Sequence, residues 1–327
     1  MMQPSLTLLF SELDRQLRGA DSWPAMPALQ LLLSRGRREG CPADVLSTLF
    51  ALFSQQAGGG QDLPVGALSA LADDLEAGSG WWLRVDPVHM VADRDQLYLS
   101  ASTALGVSRE EADALVAELN RLYADEGWAF YAAAPQRWYL RLPQPLAMRT
   151  TPTPVAMGRR VGEVLPEGDD ALAWQRVMTE IQMLLHASAV NAGRSENGQL
   201  TVNSLWFWGG GALPAERGEA PWCRIAADEP LVRGLARLHG IEVVSATSLP
   251  SALAANEGRM LVHAGAETLE LAERELFAPL LERLRAGTLA ELIIILPGVG
   301  RWRIERADLR RWWRRRKALP ALLAEGG

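Results

Sequence analysis

Apolar and polar positions recur with different periods in different parts of the chain, and the changes of period mark out its elements. Near the N-terminus Leu6 to Phe10 is an unbroken apolar run of strand length. It is followed by stretches with helical spacing, PALQLLLSRG led by Pro27, then ADVLSTLFALF, then VGALSALADDLEAG, separated by breaks that include the Gly-rich GGGQDLP. Between Trp81 and Pro145 the period shortens to WWLRVDPVHM, a DRD turn and QLYLSA, then a helix, then WAFYA and RWYLRL. This predicts a ββαββ unit. Its helix carries a written start signal, because Ser108 and Glu111 are spaced as a capping box ahead of EEADALVAELNRLYADEG, with Gly127 as the stop.

The segment RTTPTPVAMGRRVGEVLPEGD, rich in Pro, Gly and Thr, reads as a long connection. After Asp169 helices alternate with strands: ALAWQRVMTEIQMLLHAS, VNSLWFWG, CRIAA, PLVRGLARLHG, IEVVSA, RMLVHAG, ETLELAERELFAPLLERLRAG and ELIIILPG. Unbroken β-branched runs such as Leu292 to Leu296 between amphipathic helices predict strands covered on both faces. The expected fold is therefore α/β, a mainly parallel sheet flanked by helices and built from residues 1–80 and 151–327. A small α+β subdomain, residues 81–150, is inserted into it.

Length and composition narrow the class without changing that picture. A chain of 327 residues with 48% apolar and 22% charged residues is that of a folded globular protein of one large or two ordinary domains. The net charge is −6, so the molecule as a whole is no general polyanion binder and no clear nucleic-acid partner is expected. The charge is uneven: Arg301 to Lys317 holds nine basic residues against Glu305 and Asp308, a local +7 that leaves −13 for the rest of the chain. Arg310 to Lys317 interleaves cations with Trp312 and Trp313 as nucleic-acid or membrane-surface segments do. On a helix, Leu309, Trp312, Trp313 and Arg316 would form one stripe that simply docks, leaving the arginines solvated. Cys41 and Cys223 have no metal-ligand spacing and are expected to be buried and reduced. The first residues lack a basic leader and a cleavage site, and no run of about 18 apolar residues occurs, so a cytoplasmic protein without a membrane span is expected.

The densest polar constellation is NAGRSENGQLTVNSLWFWGGG, residues 191–211. Arg194 suits bidentate capture of a phosphate or carboxylate, Asn191 and Asn203 suit its orientation, and Gly209 to Gly211 allow backbone N–H groups to approach it. The same residues also fit a tight turn with Asn bonding its own backbone and Trp206 and Trp208 filling core. The triple glycine is no known phosphate fingerprint, lacking both G-x-G-x-x-G and a following Lys-Ser or Lys-Thr. The four histidines are scattered. His239 suits a helix C-terminus, and His263, ending the RMLVH strand, is the one less easily explained by packing.

In order along the chain, LRVDPVHM, SREEADALVAELN, GWAFY, RWYLRL, TPTP, GRRVGEVLPEG and HASAVNAGRSENGQLTVNSLWFWGGG resemble the cofactor-independent phosphoglycerate mutases of archaeal type, members of the alkaline-phosphatase-like superfamily. The likeness runs from Trp81 to Gly240 and is closer still to shorter bacterial relatives of those enzymes. In the active family, two divalent cations held by Asp and His activate a Ser that takes the phosphoryl group. The resemblance implies a first strand ending in Asp-Gly, but here Phe10-Ser11-Glu12-Leu13-Asp14 follows it. It implies a His, Glu and Asp cluster after a late strand, but here Val262-His263-Ala264-Gly265 follows. It implies Asp-His after the last strand, where Pro297-Gly298-Val299-Gly300 stands. What the resemblance leaves is a substrate-side half: Arg84 of an R-x-N pattern with Asp86 in place of Asn, and opposite it Asn191, Arg194 and Asn203 with Gly209 and Gly211. It implies no metal and no cofactor, and a binding or regulatory protein for a small phosphorylated or carboxylated metabolite, or for a protein partner met through the basic C-terminal segment. The alternative it leaves open is an active mutase or phosphohydrolase.

Overall fold

The structure is a computed structural model that describes residues 4–11, 24–42, 44–55, 62–93, 96–100, 105–248, 258–265 and 268–324. The chain forms two compact units, one of Met1–Gln55 with Arg217–Gly327 and one of Gln56–Glu216. In chain order the first unit begins with β1 (Ser5–Phe10) and β2 (Arg37–Glu39). The second holds β3 (Trp81–Asp93), β4 (Gln96–Ser100), β5 (Ala129–Ala134), β6 (Arg137–Leu142), β7 (Met148–Arg149), β8 (Glu167–Gly168) and β9 (Ser204–Gly211). The first unit resumes with β10 (Arg224–Ala226), β11 (Glu242–Val244), β12 (Arg259–Ala264), β13 (Glu291–Leu296) and β14 (Gly300–Glu305).

In the first unit the sheet order is β11-β10-β12-β1-β13-β14-β2. The strands from β11 to β13 are parallel, and β14 and β2 add antiparallel pairs at one edge. This is the expected mainly parallel sheet, and the apolar runs of β1, β12 and β13 are at its centre because both faces there are covered. Helix α1 (Pro27–Arg35) buries Leu29, Leu32 and Leu33, and the helix ending at Ala286 buries Phe277, Leu280 and Leu284 in the same core. Within that second helix Glu273–Phe277 is a π-helical turn, and Glu273 is buried there. Its carboxylate accepts from the backbone N–H of Ala28 at 2.5 Å and Leu29 at 3.2 Å. It thus satisfies the first turn of α1, where Pro27 has no N–H and Met26 has no capping side chain.

The second unit is antiparallel. Its long strand β3 pairs with β4, β6 and β9, and β5 and β6 form a hairpin. Helix α2 (Val65–Ala72) packs Ala67 and Ala70 on Trp82 and Tyr139. The helix α3 (Arg109–Leu122) begins with the predicted box: Ser108 N–H donates to Glu111 at 2.7 Å and Glu111 N–H to Ser108 at 3.2 Å. Helix α4 (Ala171–Ala187) sets Trp174 edge-on to Phe207 of β9, and α5 (Ala189–Glu196) follows it directly.

Three expectations need correction. VNSLWFWG was expected in the parallel sheet, yet its strand, β9, pairs antiparallel with β3, from Val88↔Ser204 to Trp82↔Gly211. Every residue of β9 is buried, and a strand covered on both faces shows the same unbroken pattern in either kind of sheet. The second unit, residues 56–216, takes in β9, α2 and α4 together with β3. The basic tail is not a docked helix. One 3₁₀ turn, Asp308–Arg310, precedes it, and Trp312 and Trp313 are 80% and 64% exposed. Buried Asp308 accepts from Glu305 N–H and from Arg311, and Arg314 donates to the carbonyl of Gly36, so local bonds fix an irregular path that turns at Trp312 and Trp313. Finally, Cys223 is exposed and Cys41 half-buried, both with free thiols. Among the described residues no helix is long and apolar enough to cross a membrane.

Candidate functional site

Arg194, the strongest anion-binding candidate of the 191–211 segment, lies on α5 with its side chain fully buried. Its Nε donates to the Leu200 carbonyl at 2.8 Å, one terminal nitrogen meets Glu111 at 2.6 Å, and the other donates to the Leu105 carbonyl. Glu111, recruited by the capping box, is thus also the carboxylate that neutralises Arg194. Asn191 donates to the carbonyls of Leu185 and Val202, both at 2.8 Å, and accepts from Val202 N–H at 2.9 Å, tying α4 to the approach of β9. Asn203 accepts from Met90 N–H at 2.7 Å and donates to Met90 carbonyl at 2.9 Å, aligning that approach with β3. These residues hold the helix layer to the sheet.

The glycine triplet does meet a carboxylate, but one from the protein. Asp62 accepts from Thr150 N–H at 3.0 Å and from its hydroxyl, and from Gly210 N–H at 3.4 Å, while Gly209 N–H donates to the Thr150 hydroxyl at 2.9 Å. Burial pushes the Asp62 carboxyl above its ordinary value, and these hydrogen bonds oppose the shift. Glycine is needed for contact with α2. Gly209 has φ +65°, and a Cβ at Gly211 would lie 2.5 Å from the Pro64 side chain.

Arg84 stands differently. It is the register partner of Tyr139 on β6 and of Trp208 on β9, so the three share one sheet face. Its guanidinium carbon lies 5.7 Å from the Tyr139 ring centre and 5.6 Å from that of Trp208, and Nε donates to Asp86 at 3.1 Å. The terminal nitrogens of Arg84 make no hydrogen bond to the described residues, and the side chain keeps 13% exposure. Asp86 is buried and also accepts from Thr153 at 2.5 Å and from the Trp208 indole at 2.7 Å, which locks it in place. Behind the ring, Tyr139 donates to Asp73 at 2.7 Å, and Asp73 takes a two-pronged contact from Arg137 at 2.6 and 2.9 Å. Burial drives the Tyr139 phenol far above its ordinary range, so it remains a donor to Asp73. The site is thus a guanidinium held at Nε, flanked by two aromatic faces, with its outer donors open. Sequence reading found Arg84 and Asp86 but missed Tyr139, Asp73, Arg137 and Thr153. The only available signal for them was the alternation of RWYLRL, which sets Tyr139 and Arg137 on one face.

At the carboxyl ends of the central strands of the first unit, Ser11 follows β1 and lies 3.2 Å through its hydroxyl from Nε2 of His263 on β12. Loops here are where α/β sheets bind ligands. Among the described residues no three His, Cys, Asp or Glu side chains converge as metal ligands, and Asp14 lies outside the described residues. Among the described residues this end offers one imidazole and one hydroxyl, fewer than the several carboxylate or imidazole donors a pair of dications needs.

No protein-family model matches the chain. In sequence it is similar to curated 2,3-bisphosphoglycerate-independent phosphoglycerate mutases. One, from Methanosarcina barkeri, is 30% identical over 110 residues, covering 33% of this chain and 28% of that protein. A probable one from Geobacter sulfurreducens is 26% identical over 211 residues, covering 62% and 52%. The chain thus spans between 28% and 52% of the length of these relatives. Among solved structures, the cofactor-independent phosphoglycerate mutase of Thermoplasma acidophilum aligns with TM-score 0.46 and 17% identity over 99% of this chain and 95% of that one. A Pyrococcus horikoshii protein aligns with TM-score 0.49 and 14% identity over 90% and 82%. A protein with a parallel and an antiparallel sheet is what the fold defines, and part of its sequence is similar to phosphoglycerate mutases.

Proposed function

We propose that this chain is a binding or regulatory relative of the phosphoglycerate mutases that takes a small phosphorylated or carboxylated metabolite on Arg84, without metal-dependent phosphoryl transfer. The observation that carries this reading is the state of Arg84: fixed at Nε by Asp86, braced by Tyr139 and Trp208, with its terminal donors open to two oxygens of a phosphate or carboxylate. Two aromatic faces lower the local dielectric around the guanidinium and strengthen its pull on an anion. Asp86 opposes that pull with its own charge, so binding is selective for anions that contact both terminal nitrogens. Arg194, Asn191 and Asn203 shape the surrounding unit rather than touching the ligand, and Gly209 and Gly211 bring β9 close enough to α2 to set Trp208 in place.

A thermal-shift series with inorganic phosphate and 3-phosphoglycerate tests this, since a ligand that prefers the folded state raises apparent stability. The expected result is a shift in the native chain that Arg84→Ala removes. An undiminished shift in Arg84→Ala would locate the anion elsewhere. The second reading, a phosphohydrolase, is favoured by one contact, Ser11 beside His263, a nucleophile next to a base. Turnover of 3-phosphoglycerate or p-nitrophenyl phosphate that vanishes in Ser11→Ala would establish it.

A further inference from the structure

The exposed tryptophans of the basic segment sit beside a concave, cationic surface. Its cations divide into those engaged by the protein and those left open. Arg311 pairs with Asp308 at 2.6 Å, Arg314 donates to the Gly36 carbonyl at 2.9 Å, and Arg301 and Arg303 both face Glu39 at 3.4 Å. Arg311 and Arg314 thereby hold the segment against the C-terminal end of α1, where backbone carbonyls favour positive charge. Arg310, Arg315 and Arg316 make no ion pair among the described residues. A groove of about 790 Å³ is lined by Arg37, Arg38, Trp313, Arg314, Arg315 and Lys317. Arg38 lies over the buried Trp302 ring at 5.0 Å, and Trp312 meets Trp313 edge-on with centres 6.0 Å apart.

We propose that this groove binds a short single-stranded nucleic acid, phosphates on the open Arg315 and Arg316 and unstacked bases on Trp313 and Trp312. Charge complementarity fixes the sign of the partner, the local +7 of residues 301–317 against −13 elsewhere. The same contrast restricts its length, because a long polyanion running off the groove meets an acidic protein. The two indoles choose among anions. Large aromatic rings left 80% and 64% exposed present flat faces that bases cover and that an acidic peptide lacks. In a duplex those base faces are already stacked. A bilayer would call for an amphipathic helix, and residues 311–318 form turns and irregular chain beside the groove.

The test is anisotropy of a labelled ten-nucleotide oligothymidylate titrated with the full chain at 50 and 200 mM salt. Neutralising about two phosphates predicts a loss of roughly sevenfold between the two. Trp313→Ala should weaken binding about tenfold at either salt, as removal of one stacking platform does. Arg315→Glu with Arg316→Glu should abolish it, and exposed positions such as these leave the thermal midpoint unchanged. Absence of binding at 50 mM salt overturns the proposal. So does binding that ignores Trp313→Ala, tighter binding to a duplex of equal length, or capture of phosphatidylserine vesicles in place of the oligonucleotide.

Discussion

Two arginines of the second unit, Arg84 and Arg194, look alike in sequence and differ in what surrounds them. Arg194 is wholly buried, and all three of its nitrogens face acceptors of the protein, one of them the Glu111 carboxylate. Arg84 is held at one nitrogen only, between two rings, with donors to spare. An arginine within a cluster of Asn and Gly announces that an anion is near, but the anion can be the protein's own. The same holds for Gly209 and Gly210, which serve the Asp62–Thr150 pair, and for the start of α1, which is served by Glu273. Internal anions build the scaffold around Arg194 and the glycines, while the terminal N–H groups of Arg84 are left without a partner among the described residues.

The largest effect that sharpens this contrast is expected at Arg194. Arg194→Ala strands a carboxylate and two carbonyls and should lower unfolding free energy by about 3 kcal/mol in urea titrations, while the response to phosphate survives. A variant as stable as the native chain would break the distinction between the two arginines. Next comes Glu273→Ala, which leaves the Ala28 and Leu29 N–H groups buried without acceptors and should cost about 2 kcal/mol by the same measurement. Smaller is the effect of Asp86→Asn. Removing the charge beside Arg84 should tighten phosphate binding several-fold, read from titration midpoints, and weaker binding would show that Asp86 aids the anion instead of opposing it.

The smallest effect is a pH dependence from Asp62. Its folded carboxyl titrates above the ordinary value because burial disfavours the charged form, so the fold binds that proton more tightly than the unfolded chain does. Its contribution to stability is therefore full below the unfolded pKa and is lost as pH rises through the raised folded one. The stability difference between the native chain and Asp62→Asn should decline on going from pH 3.5 to 7. A difference that stays level contradicts the assignment.

The periodic parts of the fold were legible because local chemistry settles them. Ser108 and Glu111 wrote the start of α3, and the runs in β1 and β13 required a sheet covered on both faces. The sheet membership of β9 was not legible, since burial of all its residues erases the alternation that separates an antiparallel strand from a parallel one. The tail was misread because helical spacing of Trp312 and Trp313 says nothing of Asp308, whose buried carboxylate holds Arg311 in an irregular, turning path. At the site, Arg84 and Asp86 were legible from the resemblance. Their brace was not, because Tyr139 and Trp208 reach Arg84 through strand register, which no local pattern records.

The account turns on the open terminal N–H groups of Arg84 receiving an anion. Calorimetric titration of 3-phosphoglycerate into the native chain and into folded Arg84→Ala measures this directly. Binding heat in the first and none in the second is the predicted result; equal heats in both would contradict it.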